Sequence, residues 1–131
     1  MTLASDWLAH HAHVSPDALA AVDIASDRRW TYEAFNHRAD RVARAFFAEG
    51  VRAGDRVAVL SHNDSDVFEI QFACQKLGAI FLPLNWRLAV PELEFICNDA
   101  TPTLLVYGIE FSDAAADVAK LSNINRYLSL A

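Results

Sequence analysis

An α/β fold, a mostly parallel sheet with helices packed on its faces, is what this sequence predicts. Short apolar runs alternate at close spacing with longer segments whose apolar residues recur every three or four positions. That alternation builds parallel sheets through right-handed helical crossovers. The run Val57 to Leu60 in "GDRVAVLS" is continuously apolar, as expected of a strand covered on both faces. Gly50 and Gly78 each close a segment of helical period, where a left-handed residue commonly ends a helix.

Taken in order, "TLASDWLAHHAH" reads as a short amphipathic helix with Leu3, Trp7 and Leu8 on one side and Pro16 beyond its end. "ALAAVDIA" and "DRRW" read as two strands joined by a turn near Ser26–Asp27. Thr31 stands at an N-cap, where its hydroxyl accepts a free backbone N–H of the first turn. Tyr32, Phe35, Ala39, Val42 and Phe46 then line one helical face, with Glu33, His37, Arg41 and Arg44 on others.

After the strand at 57–60, "NDSDVFEIQFACQKLG" reads as a helix entered through Asn63–Ser65. Val67, Phe68, Ile70, Phe72, Cys74 and Leu77 cover more than one stripe of it, so it is expected to be largely buried. In "CQKLGAIFLPLNWRL", Ala79 to Leu82 read as a buried central strand that Pro83 stops, because proline brings no N–H to the ladder. "VPELEFICND" is the next helix, with Pro91 in its first turn. "TLLVY" is a strand, "SDAAADVAKL" a helix and "NRYLSL" a final strand that runs into Ala131.

A length of 131 residues suits one domain. Although 53% of the residues are hydrophobic, no apolar stretch approaches the roughly 20 residues that cross a bilayer. The N-terminus carries Asp6 and no apolar core, unlike a secretory leader. Cys74 and Cys97 lie in apolar helical contexts without a CxxC partner, so both read as buried free thiols in a reducing, cytoplasmic setting. A net charge of −6 argues against nucleic acid as a partner. Arginines 28, 29, 38, 41, 44, 52 and 56 interleave with acids at 23, 27, 33, 40, 49 and 55, which reads as a mixed solvated surface.

The sequence carries few residue patterns that chemistry would need. His10, His11 and His13 lack the spacing and the partners of a metal site and read as an exposed helix end, so no metal ligands are assigned. His37 reads as solvated. His62 stands at a strand's carboxyl end, where open α/β sheets keep their ligands. Ser61 and Ser65 have no evident base and orienting acid, so no catalytic residue is assigned. With glycines only at 50, 54, 78 and 108, no glycine-rich phosphate loop can form. The turn "SHNDSD" offers Asp64 and Asp66 at a helix N-terminus where an anion would otherwise sit.

Two long segments carry a resemblance. "WTYEAFNHRADRVARAFFAEGVRAGDRVAVLSHND" and "FEIQFACQKLGAIFLPLNWRLAVPELEFICNDATPTLLVY" resemble, in order and spacing, the opening of the adenylate-forming acyl-CoA synthetases (acid–CoA ligases), from about Ala18 to Tyr107. The resemblance implies a parent enzyme that activates a carboxylic acid, of the fatty-acid kind, with ATP and magnesium as an acyl-adenylate. The acyl group then passes to the thiol of coenzyme A. It also implies that residues 1–131 are an incomplete N-terminal subdomain, the first part of a large domain whose phosphate loop and catalytic lysine lie downstream. Such a piece is expected to be inactive alone, to bind none of these cofactors strongly, and to self-associate through uncovered apolar surface.

In some ligases of this kind, the arginine of an "N.RL" motif lies near the phosphates of coenzyme A. Arg87 of "PLNWRL" inherits that role by resemblance, and a guanidinium suits it by engaging two phosphate oxygens at once. The plainer reading of Arg87 is a surface pair with Glu92 or Glu94, worth at most about 1 kcal/mol. Trp86, where the family more often has a small residue or proline, reads as an apolar lid or as cover for the following helix. The alternative for the whole chain is a self-contained α/β binding or interaction module on the same scaffold. Carrier-protein adenylation domains and luciferase-like enzymes share these early segments too.

Overall fold

The computed structural model describes residues 6–130. Leu3 and Ala131, which figure in the sequence expectations, lie outside them. The chain opens with α1 (Trp7–Val14), followed by the strands β1 (Leu19–Asp23) and β2 (Arg28–Thr31). Then come α2 (Tyr32–Ala48), β3 (Arg56–Leu60), α3 (Ser65–Leu77), β4 (Ile80–Pro83) and α4 (Val90–Ala100). The chain continues through β5 (Leu104–Gly108), a 3-10 turn at Ile109–Phe111, α5 (Ser112–Leu121) and β6 (Tyr127–Leu130). β1 and β2 form an antiparallel hairpin apart from the main sheet, and β4-β3-β5-β6 pair in parallel throughout.

Local chemistry places the helix ends. Thr31 Oγ1 accepts the Ala34 N–H at 3.2 Å at the start of α2, and Asp64 does the same for Val67 at the start of α3. Asp6 caps α1 through the Ala9 N–H and also receives Lys76 Nζ from α3 at 3.0 Å. Gly78 ends α3 at φ 73°, a left-handed conformation that costs glycine little. Ala89 has no side-chain oxygen, so the entry to α4 is held from the other side: Glu92 Oε2 accepts the Ala89 N–H at 2.8 Å.

Successive side chains of β3 and β5 point to opposite faces of the sheet, and each face meets its own pair of helices. Val57, Val59, Leu104 and Val106 pack with Phe46 of α2 and with Ile70, Ala73 and Cys74 of α3. Ala58, Leu60 and Leu105 pack with Leu93 and Cys97 of α4 and with Ala115, Val118 and Ala119 of α5. This two-sided burial explains the unbroken apolar run of β3. A third cluster joins Leu8 of α1 to Phe35 and Ala39 of α2.

Three expectations need correction. β4 lies at an edge of the sheet, with β3 and β5 central, and Ile80 is 51% exposed. Pro83 does not stop the ladder: it pairs with Val59, and Leu84 continues by donating to Val59 O at 2.8 Å. Because alternate residues of a strand face opposite edges, the N–H that proline lacks would have pointed away from β3, the position where an edge strand tolerates proline. In α3, Phe68 is 54% exposed while Glu69 is buried, the reverse of the apolar expectation. The Arg38 guanidinium of α2 pairs with Glu69 and makes its burial possible.

Candidate functional site

The carboxyl ends of β3, β4 and β5 lie side by side, and each delivers residues to one cluster. β3 runs into Ser61 and His62. Ser61 is buried and its hydroxyl donates to the His62 carbonyl at 2.9 Å. β5 runs into Gly108 and the turn carrying Glu110 and Phe111. A methyl group at Gly108 would sit 2.8 Å from Glu110 Oε1, so the close approach of the Glu110 carboxylate depends on glycine there.

β4 runs into a β-turn over residues 85–88, closed by Leu88 N–H to Asn85 O at 3.0 Å. Asn85 Oδ1 accepts the Arg87 N–H at 3.0 Å, fixing the backbone between Trp86 and Arg87. Leu84, before the turn, is buried in the core and Leu88, after it, packs against the same cluster.

These side chains interlock. The His62 ring meets Trp86 nearly edge-on, with centroids 4.4 Å apart, and Phe111 at 4.9 Å. His62 Nδ1 lies 3.1 Å from Glu110 Oε1. The Arg87 guanidinium lies over the Trp86 ring, 4.6 Å from its centroid. Trp86 packs against the cluster that holds Leu93 and Cys97 of α4, so it covers that helix as expected, and it also joins His62 to Arg87. Among the described residues Arg87 forms no ion pair, and Glu92 accepts the Ala89 N–H at the entry to α4 instead. An exposed guanidinium without a carboxylate partner keeps its N–H fork available to an anionic ligand.

A second polar cluster lies at the entry to α3, and it answers to structure. Asp23 of β1 accepts Arg28 Nη2 at 2.9 Å and the Ser65 hydroxyl at 3.2 Å. The Arg28 hydrogen bond, helped by the Ser26 N–H, holds the Asp23 carboxyl well below the usual carboxylate range. Arg28 and Arg38 both reach Asp66, and Arg38 also holds Glu69, whose carboxyl burial pushes upward against that arginine. Burial likewise raises Asp64. Carboxylates of the chain itself thus occupy this helix N-terminus, which does not suit a nucleoside triphosphate.

His62 and Arg87 were legible in the sequence as residues at strand ends, but Glu110 and Phe111 were not singled out. The same rule, that ligands gather beyond the carboxyl ends of parallel strands, applies to the residues following β5. His11 packs its ring 5.3 Å from Tyr32, and His37 is exposed. Cys74 and Cys97 are buried free thiols, and burial pushes Cys74 up to about 12 and Cys97 upward as well. No helix among the described residues is long and apolar enough to cross a membrane.

A parallel sheet between two helical layers, with residues from adjacent strand ends gathered on one edge, defines a domain of the kind that holds ligands beyond its strands. The chain belongs to the AMP-binding enzyme family, whose model matches residues 8–129. It is 38% identical over 113 residues to a feruloyl-CoA synthase from an Amycolatopsis species, covering 86% of this chain and 23% of that protein. To the long-chain-fatty-acid–CoA ligase FadD13 of Mycobacterium tuberculosis it is 40% identical over 101 residues, 77% of this chain and 20% of that one. Among solved structures, it superposes on the inhibitor-bound N-terminal domain of FACL13 from Mycobacterium tuberculosis with a TM-score of 0.88 at 32% identity. That match covers 95% of this chain and 33% of the other. The chain thus spans about a quarter or less of the curated relatives it matches.

Proposed function

We propose that this chain supplies the first part of the large N-terminal domain of an acid–CoA ligase. That enzyme activates a carboxylic acid, of the fatty-acid class, with ATP and magnesium to an acyl-adenylate and passes the acyl group to coenzyme A. In this reading residues 1–131 are an incomplete subdomain that works in the cytoplasm and is inactive alone. The observation that supports it best is the family match along nearly the whole chain, together with relatives named as CoA ligases for fatty and aryl acids. The exposure of Ile24 (91%) and Phe95 (76%) favours a scaffold that other structure covers over a self-contained module.

Within that reading, Arg87 contacts the phosphates of coenzyme A. Its exposed, unpaired guanidinium on the carboxyl edge fits the group chemically. Coenzyme A supplies the thiol that takes the acyl group; Arg87 binds and orients its nucleotide end. The described residues offer no comparable cradle for a triphosphate, and the acids at the entry to α3 oppose one.

The test is Arg87→Ala in a ligase chain carrying this segment. The expected result is a KM for coenzyme A raised about tenfold, the loss of about 1.4 kcal/mol of binding, with a smaller change in kcat. An unchanged KM removes Arg87 from the site. The 131-residue polypeptide alone is expected to show no ATP–pyrophosphate exchange, and turnover by it would overturn the incomplete-subdomain reading.

A further inference from the structure

We infer that Trp86 is a positioning residue that holds the Arg87 guanidinium ready for a phosphate-bearing ligand, and that His62 and Glu110 in turn hold Trp86. The inference rests on the reading of Arg87 given under the proposed function. Both Leu88 N–H to Asn85 O and Arg87 N–H to Asn85 Oδ1 close at 3.0 Å, so the backbone carrying Trp86 and Arg87 has little freedom.

On that backbone the guanidinium lies over the indole, 4.6 Å from the ring centroid. A cation held over the ring face is attracted to it without a carboxylate partner, so no ion pair consumes its N–H donors. A long arginine side chain ordinarily loses rotamer freedom when it grips a ligand. Stacking incurs part of that loss before the ligand arrives.

The indole is itself fixed from two other strand ends. His62, leaving β3, sets its ring 4.4 Å from Trp86 at 80°. Phe111, beyond β5, lies 6.0 Å from Trp86 and 4.9 Å from His62. Glu110 Oε1, from the same turn as Phe111, lies 3.1 Å from His62 Nδ1, on the ring that Trp86 and Phe111 also contact. A continuous set of contacts therefore runs from the β5 exit through the β3 exit to Arg87 at the β4 exit. The role extends to ligands with clustered phosphates, because one guanidinium engages two oxygens at once.

Two measurements separate this inference from the reading of Arg87 itself. The first is the ¹H–¹⁵N signal of Arg87 Nε–H in the 131-residue polypeptide. It is expected to be shifted upfield by the indole ring current, to lose that shift in Trp86→Ala, and to keep a part of it in Trp86→Phe. A signal that Trp86→Ala leaves in place overturns the positioning role, whatever Arg87 binds.

The second is steady-state kinetics in a ligase chain carrying the segment. Trp86→Ala is expected to raise the KM for coenzyme A about two- to fivefold, more than it lowers kcat, with Trp86→Phe restoring most of the loss. In an Arg87→Ala background the same change is expected to add nothing. An equal effect there shows that Trp86 acts independently of Arg87 and overturns the inference. If Arg87→Ala alone leaves the KM unchanged, the reading of Arg87 fails and takes this inference with it, even where the Nε–H shift stands.

Discussion

Asp23 closes β1 while sharing its carboxylate between Arg28, the N–H and hydroxyl of Ser65 at the α3 entry, and the Ser26 N–H of the hairpin turn. Its pKa is depressed in the fold, chiefly by the Arg28 hydrogen bond, so below the ordinary aspartate range the unfolded chain binds the extra proton. The stabilisation from this group is therefore complete above about pH 4 and fades as the pH falls further. Asp23→Asn is expected to lower the urea midpoint at pH 7, with the difference from the parent chain narrowing steadily below pH 4. A gap that stays constant down to pH 2 would mean that the carboxylate charge is not what Arg28 recognises. At this scale the sequence was readable where a rule is local. His62 followed from its place after an apolar run, and Thr31 from its place before a helical period. Glu69 was not readable, because its partner Arg38 lies 31 residues away on another helix and periodicity alone assigns a glutamate to solvent. The pairing of Arg28 and Arg38 with Asp66 escaped for the same reason, so part of the supposed solvated surface is a half-buried ionic network.

Helices were placed closely because their ends are written in a few adjacent residues. α5 runs over Ser112–Leu121 as expected, and α2 begins after Thr31. Strands were placed closely along the chain but not across the sheet. The run Ala79 to Leu82 looks as apolar as a central strand. Its edge position follows from the order β4-β3-β5-β6, a long-range property that no local pattern encodes. Gly78 joins the two kinds of element. It ends α3 at φ 73°, its carbonyl accepts the Gly54 N–H at 2.9 Å, and a Cβ there would meet Ala53 Cβ at 3.3 Å. Gly78→Ala is expected to cost about 1–2 kcal/mol, from the left-handed backbone and the tight contact together. Equilibrium denaturation checks this, and a cost under about 0.5 kcal/mol would show that the β3–β4 corner relaxes freely.

The three-layer arrangement was legible because β3 and β5 are apolar on both faces, and a strand covered on both sides needs two helical layers. What covers the rest of the surface was not legible. A groove of about 780 Å³ opens between the hairpin and α3, lined in part by Val22, Ile24, Phe35, Phe68 and Phe72. Ile24 at its rim is 91% exposed and Phe68 54%. An apolar groove of this kind is expected to draw copies of the isolated chain together, while the net charge of −6 opposes their approach. The balance depends on salt, because a Debye length of about 10 Å at 0.1 M screens the repulsion and leaves the apolar attraction intact. Sedimentation velocity of the 131-residue polypeptide is therefore expected to show association that strengthens from 0.02 to about 0.3 M salt. Phe68→Ser is expected to weaken it without changing the fold, since the side chain is already more exposed than buried. A chain that stays monomeric across that range would show that the groove is not adhesive and would return the self-contained module to contention. Association that salt weakens would place the contact on the charged faces of α2 and α3 instead.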